Sequence, residues 1–381
     1  MTNFNEEAFL QRYNKLNTHQ KEAVDTIEGP VMVIAGPGTG KTEVLAMRIA
    51  NLLRSDAQVK PYEILCLTFT DEATVAMRRR LIQIIGEEAH RVHIYTFHSF
   101  CNNIILKNPT YFGLRELMPI SDLERMDLLY TMIEELPSGH VLRRLKGDLF
   151  YDAKNLRELF DLMKSEHWSP EYVDEAITAY LEGLPERDQY IYKRANAKQG
   201  IKVGDPKLGD IKKETERMER TRAAALLFPE YQRRMTALGR YDFSDMILWV
   251  IKAFREKPEF LQQQQERFQY ILVDEFQDTS GAQSELLTQL ADYWDSPNLF
   301  IVGDDDQSIF EFQGARLQNI IDFYEKFKRD IKVIVLKENY RSSQHILDRS
   351  TATIEYNKHR LFYQLEHLQL DKKIVASGER Y

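Results

Sequence analysis

The stretch from Pro30 to Leu53 constrains the fold of this chain more than any other. Pro30 to Ala35 (PVMVIA) is an apolar run of strand length. Thr42 to Leu53 has helical spacing, with Val44, Leu45, Ile49 and Leu52 on one face. Between them lies Ala35-Gly36-Pro37-Gly38-Thr39-Gly40-Lys41-Thr42, the [AG]-x4-G-K-[ST] form of a phosphate-binding loop. The residue types follow from the chemistry. Gly36, Gly38 and Gly40 let the backbone curl so that successive N–H groups point at phosphate oxygens. The helix N-terminus adds its positive end. Lys41 can reach the β- and γ-phosphates, and the Thr42 hydroxyl can take a place on Mg²⁺.

A strand, a glycine loop and a helix imply a mostly parallel sheet, and the neighbouring texture agrees. Glu63 to Phe69 and Arg91 to Phe97 read as further strands between amphipathic helices. From about 109 to 240 the strand signals fade and helical ones dominate, as in Asp122 to Leu136 and Tyr151 to Glu166. Strand texture returns at Tyr270 to Val273, Leu299 to Val302 and Ile331 to Leu336. The expected fold is therefore α/β, a parallel sheet carrying the phosphate loop, interrupted by an all-helical insertion. The expected bounds are 1–108 with 241–329 for the sheet domain, 109–240 for the insertion, and a further domain from 330 to 381. The charge-rich stretch Lys193 to Arg222 reads either as a solvated helical face or as an edge facing nucleic acid.

Tyr270-Ile271-Leu272-Val273 ends in Asp274 and Glu275, so an apolar strand delivers two carboxylates. Beside a phosphate loop, Asp274 would hold Mg²⁺, and Glu275 would orient and deprotonate an attacking water. Composition narrows the setting. The net charge of −8 argues against coating nucleic acid by charge alone. It leaves room for gripping a single strand by stacking, since aromatics make up 11% of the chain. No apolar run reaches the roughly 18 residues of a membrane helix. Cys66 and Cys101 lie in apolar surroundings and are expected as buried free thiols in a reducing cytoplasm.

The remaining stretches, taken in order, resemble the UvrD/Rep group of superfamily 1 DNA helicases, a family with a RecA-like sheet. Asp274-Glu275-Phe276-Gln277-Asp278 resembles its DE-x-Q-D motif, and Val302 to Phe310 resembles VGDPDQSIY. Glu338-Asn339-Tyr340-Arg341-Ser342 resembles NYRS. Leu67 to Thr70 and Thr96 to Phe100 resemble the two strand-tip motifs on the DNA track, and Leu16-Asn17-x-x-Gln20 resembles the adenine-reading motif. The resemblance implies that Gln20 reads the adenine, although Asn17-x-x-Gln20 is also a capping-box spacing. It implies that Tyr340 stacks on the base, that Arg341 is an arginine finger and that Gln307 senses the γ-phosphate. Phe69, Thr96, His98, Phe310 and Phe312 would face single-stranded DNA; for each aromatic alone, core packing is the competing role. Tyr241-Asp242-Phe243-x-Asp245 resembles a further family stretch without an assigned role.

Several residues depart from the family pattern. Glu43 stands where Arg commonly follows the loop Thr, Asp305 replaces Pro, and Phe310 replaces Tyr. Phe312 replaces Trp, and Gln313 replaces an Arg that helps link ATP to DNA. The family's later motifs, with a second arginine finger, are expected beyond Tyr381. The chain is thus expected to be a monomeric front part, binding ATP and Mg²⁺ weakly, hydrolysing slowly and not unwinding alone. For the complete protein the resemblance implies 3′-to-5′ translocation on single-stranded DNA and action at single-strand/duplex junctions. A helicase–nuclease of RecB/AddA type and a non-motor ATP switch that binds DNA stay open as alternatives.

Overall fold

The computed structural model describes residues 4–55, 59–113, 117–143, 150–195, 201–307, 317–357, 360–368 and 370–378. The chain divides into two compact units, residues 1–113 with 246–381, and residues 114–245. In chain order the strands are β1 (Val31–Ala35), β2 (Ile64–Thr68), β3 (His93–Thr96), β4 (Met118–Pro119), β5 (Arg240–Tyr241), β6 (Tyr270–Val273), β7 (Asn298–Gly303), β8 (Lys332–Leu336), β9 (Glu338–Asn339) and β10 (Val375–Ala376). The helices that position the site are α1 (Glu6–Lys15), α2 (Thr18–Asp25), α3 (Lys41–Ser55), α4 (Asp71–Ile85) and α5 (Phe97–Lys107).

The first unit is built on a six-stranded sheet in the order β3-β2-β6-β7-β1-β8. Every pairing in it is parallel. Parallel strands need helical crossovers, which cover both faces, and the central strands are accordingly apolar throughout. All residues of β1, β2 and β6 are buried. Because the strands run the same way, all their C-terminal ends lie on one edge, where open α/β sheets bind ligands. Helix α3 enters the core almost all round, with Val44 to Leu52 buried, including Arg48 and Asn51. Cys66 and Cys101 are buried free thiols.

Three boundaries differ from expectation. Lys332–Leu336 does not open a new domain at residue 330. It is the edge strand of this same sheet, paired in register with β1 from Val31↔Lys332 to Ala35↔Leu336. An apolar strand signals burial but not which sheet buries it, so the alternation of textures could not place it. Phe97 likewise lies in α5, because Thr96 turns the chain by accepting a hydrogen bond from Ser99 N at 3.3 Å. The strand expected over Lys372 to Ala376 contracts to β10, paired with β9.

The second unit has its own apolar core, including Leu129, Ile133, Phe160, Tyr231 and Met235. These side chains come from the helices Asp122–Glu134, Ala153–Ser165 and Phe228–Ala237. It is not wholly helical, since β4 and β5 pair in parallel. Lys164 is buried and donates to Asp242 at 2.7 Å, with Asp245 at 2.8 Å. Arg125 bridges Asp161 at 2.7 Å and Asp242 at 2.6 Å. The stretch Tyr241-Asp242-Phe243-x-Asp245 thus supplies the counter-charges for two buried cations. In the charge-rich stretch, Arg222 pairs with Asp174 at 2.6 Å and Glu219 at 2.7 Å. No helix among the described residues is long and apolar enough to cross a membrane.

Candidate nucleotide-binding site

The phosphate loop leaves β1 at Ala35 and enters α3 at Lys41. Gly38 (φ +71°) and Gly40 (φ +86°) adopt the left-handed backbone that side chains disfavour. Both are also crowded. A side chain on Gly40 would start 2.8 Å from Gln20 Nε2, and one on Gly38 would start 2.7 Å from Arg341 Cβ. Thr39 closes the loop on itself, its hydroxyl donating to the Gly36 carbonyl at 2.8 Å. Pro37 is exposed at the tip, and Lys41 and Thr42 are half-buried.

The acid pair sits at the end of β6, two strands away across β7. Lys41 Nζ donates to Glu275 Oε2 at 2.6 Å, although the residues are 234 positions apart. Asp274 is buried, and burial followed by the charge of Glu275 pushes its carboxyl up to about 6. Glu275 itself lies in the left-handed region (φ 48°, ψ 46°), which is strained for a residue with a side chain. Burial and Glu275 also push Asp278 up to about 6, and its buried Oδ1 has no hydrogen-bond partner among the described residues.

Gln277, two residues beyond the pair, connects it to the next strand. Its amide donates to Glu275 Oε2 and Asp278 Oδ2, each at 3.0 Å, and its Oε1 accepts from Asp304 N at 2.9 Å. Asp304 Oδ2 in turn accepts from Gln307 Nε2 at 2.5 Å. A continuous chain of polar contacts therefore runs from Lys41 through Glu275, Gln277 and Asp304 to Gln307. Sequence reasoning placed Gln277 inside a motif but assigned it no work; a glutamine beside acids has the two donors and the acceptor that such a hub needs.

Gln20 is fully buried and has both ends engaged. Its Oε1 accepts from Asn17 N at 3.1 Å, and its Nε2 donates to Thr39 O at 2.9 Å. The capping box that competed with adenine reading is therefore formed. An amide has a second N–H and a second lone pair, so capping and base contact are compatible. Asn17 Nδ2 also donates to the Tyr340 hydroxyl at 2.9 Å. The segment after β8 lies on the loop: Tyr340 N donates to Gly38 O at 2.9 Å, and Asn339 Nδ2 donates to Pro37 O. Asn339 Oδ1 accepts from Arg341 N and Ser342 N, at 2.8 and 2.7 Å, which presents the exposed Arg341 beside Gly38.

Two departures from the family pattern have partners here. Glu43 pairs with Arg12 of α1 at 3.1 Å and with Arg80 of α4 at 3.4 Å. Asp305 belongs to a triad of carboxylates, Asp304–Asp306, that holds Lys372. Arg360 also pairs with Asp306 at 2.7 Å, and Leu361 N donates to Asp305 Oδ2 at 2.9 Å. Lys372 and Arg360 carry no family motif, and only their positive charge hinted at them. On the remaining edge of the sheet, Phe69 is exposed just beyond β2, Thr96 ends the neighbouring β3, and His98 is half-buried in the first turn of α5. Phe310, Phe312 and Gln313 lie outside the described residues.

A glycine loop between the first strand and first crossover helix of a parallel sheet, with an acid pair on a nearby strand end, defines a P-loop nucleotide-binding domain. The chain belongs to the UvrD/REP helicase N-terminal domain family, which matches residues 16–328. It is 34% identical over 345 residues to an ATP-dependent DNA helicase PcrA of Staphylococcus epidermidis, covering 91% of this chain and 40% of that protein. It is 33% identical over 347 residues to an ATP-dependent DNA helicase PcrA of Staphylococcus aureus, covering 91% and 41%. The chain therefore spans about 40% of the length of the curated relatives it matches.

Proposed function

We propose that this chain is the ATP-binding part of a cytoplasmic ATP-dependent DNA helicase that moves along single-stranded DNA, in the 3′-to-5′ direction, and opens duplex at junctions. The observation that carries this reading is the meeting of Lys41 with Glu275 across 234 residues. An ammonium and a carboxylate in contact at the C-terminal edge of the sheet support reading Lys41 as a phosphate ligand and Glu275 as the base for water.

In this reading the N–H groups of Gly36 to Thr42 cradle the triphosphate, and Lys41 exchanges Glu275 for the β- and γ-phosphates. Gln20 and Tyr340 hold the adenine, one by its edge and one by its face. Thr42 at the start of α3 and the buried Asp274 at the end of β6, a hydroxyl and a carboxylate, are the residues that would hold Mg²⁺. The ion would supply Lewis-acid neutralisation of the phosphate oxygens. Glu275, released from Lys41, is free to orient and deprotonate the attacking water. Gln307 and Arg341 complete the γ-phosphate contacts. The Glu275–Gln277–Asp304–Gln307 chain carries the state of the phosphate site into the Val302–Phe310 stretch, and Phe69, Thr96, His98, Phe310 and Phe312 grip the single strand.

Lys41→Ala tests the site. It removes the central phosphate contact from a half-buried position, so the 381-residue chain should keep its circular-dichroism melting profile and lose MgATP binding in calorimetry. In the complete protein the same change should abolish ATP hydrolysis stimulated by single-stranded DNA. Retention of full hydrolysis by Lys41→Ala would overturn the assignment.

A further inference from the structure

Arg48 is a buried cation that the proposed chemistry does not use. It lies in the second turn of α3, the helix that begins with the phosphate loop, and is 1% exposed. Its guanidinium reads backbone carbonyls. Nη1 donates to Ala23 O at 2.9 Å and to Thr26 O, and Nη2 donates to Ile27 O at 3.3 Å. The Phe300 ring of β7 lies beneath it, 4.3 Å from the guanidinium carbon. Its Nε is buried without a hydrogen-bond partner among the described residues. Burial lowers its pKa to about 9, which leaves it charged at neutral pH. One turn further along α3, Asn51 Nδ2 donates to Val24 O at 3.2 Å.

These carbonyls belong to one place, the C-terminal end of α2. The last carbonyls of a helix lack intrahelical donors and carry the negative end of its dipole. Helix α2 has only eight residues, too few to hold its own conformation or position in water. Its N-terminal end carries Gln20, fixed on Thr39 O of the phosphate loop. The two ends of α2 are thus gripped by the same loop–helix segment, one by the loop and the other by Arg48 and Asn51. Phosphate groups need only the loop and the start of α3. A base reader must also sit at the correct height above them, because hydrogen bonds weaken steeply with misalignment.

We propose that Arg48 and Asn51 are positioning residues for nucleobase recognition, holding α2, and with it Gln20, in register with the phosphate loop. The proposal rests on the nucleotide-site reading above and is separable from it. Removing the clamp lets α2 drift, so base selection falls while triphosphate binding persists.

The test is calorimetric titration of the 381-residue chain with Mg²⁺ complexes of ATP, GTP and inorganic tripolyphosphate. The unmodified chain should prefer ATP to GTP. Arg48→Met and the milder Asn51→Ala should each weaken ATP about tenfold, the worth of a lost buried hydrogen bond, while tripolyphosphate stays within about twofold. The ATP-to-GTP preference should shrink accordingly, and Arg48→Lys should restore part of it. A parallel loss of ATP and tripolyphosphate in a folded Asn51→Ala chain would assign the pair a merely structural role and overturn the proposal. So would an unchanged ATP-to-GTP ratio in both variants, or no base preference in the unmodified chain. Lys41→Ala serves as the separate control: undiminished binding of all three ligands would refute the site reading instead.

Discussion

At the residue scale, the left-handed backbone of Glu275 marks where this protein holds strain at its site. A side chain in that region costs about 1–2 kcal/mol. Glu275→Gly should therefore raise thermal stability by about 1 kcal/mol, a few degrees in melting temperature, while removing the carboxylate proposed to activate water, so that hydrolysis should be lost. A lower melting temperature would show that the contacts of Glu275 with Lys41 and Gln277 outweigh the strain. His93 gives a pH dependence. Burial first, then Arg267, Lys107 and Arg78, lower its pKa to about 4. The unfolded chain takes up that proton near 6.5 and the folded chain does not, so stability is lost as pH falls from about 6.5 towards 4. Asp274 and Asp278, both raised to about 6, contribute with the opposite sign over part of that window. His93→Gln should flatten the acid-side fall of the melting temperature; an identical profile would rule His93 out.

At the element scale, the segment 360–376 is fastened by charge. Lys372 sits among three carboxylates on the turn after β7, and Ile374, two residues on, packs against Gly36. Burial would lower the Lys372 pKa, but Asp304, Asp305 and Asp306 outweigh it and raise it. Removing one partner of a buried ion pair costs about 3–5 kcal/mol, so Lys372→Met should destabilise the first unit by that order in urea. Asp305→Pro should cost less, because Asp305 opens a 3₁₀ turn where proline is tolerated. The double variant should be less destabilised than the sum, with a coupling above about 0.5 kcal/mol. Strict additivity would dissolve the fastening. Elements were legible in the sequence where a local signal named them: β1, the loop and α3 by period and glycine, and the acid pair by its place after an apolar strand. The edge strand β8 was assigned to the wrong domain, because its pairing with β1 joins residues about three hundred positions apart, and no local period encodes that.

At the scale of the whole molecule, the two units have separate apolar cores, around β1 and α3 in one and around Phe160 and Tyr231 in the other. Cores that share no side chains can unfold separately. Calorimetry should show two transitions. Phe160→Ala, which costs about 3–5 kcal/mol in a packed core, should lower only one of them, and MgATP should raise only the other. A single transition shifted by both would show that the units melt together.

The residue types and motifs of the candidate site were legible in the sequence alone. A glycine loop between strand and helix, an acid pair at a strand end and a set of ordered motifs are short-range patterns. Each specifies its own backbone and functional groups within about ten residues. The tertiary structure decided who meets whom. It brought Lys41 to Glu275, made Gln277 a hub, seated Lys372 among Asp304–Asp306, and set Arg48 under the end of α2. Those contacts depend on strand order and helix docking, which arise from burying all the apolar faces at once. A long charged side chain shows in the sequence only that it can reach a partner, not which partner the folded chain brings to it.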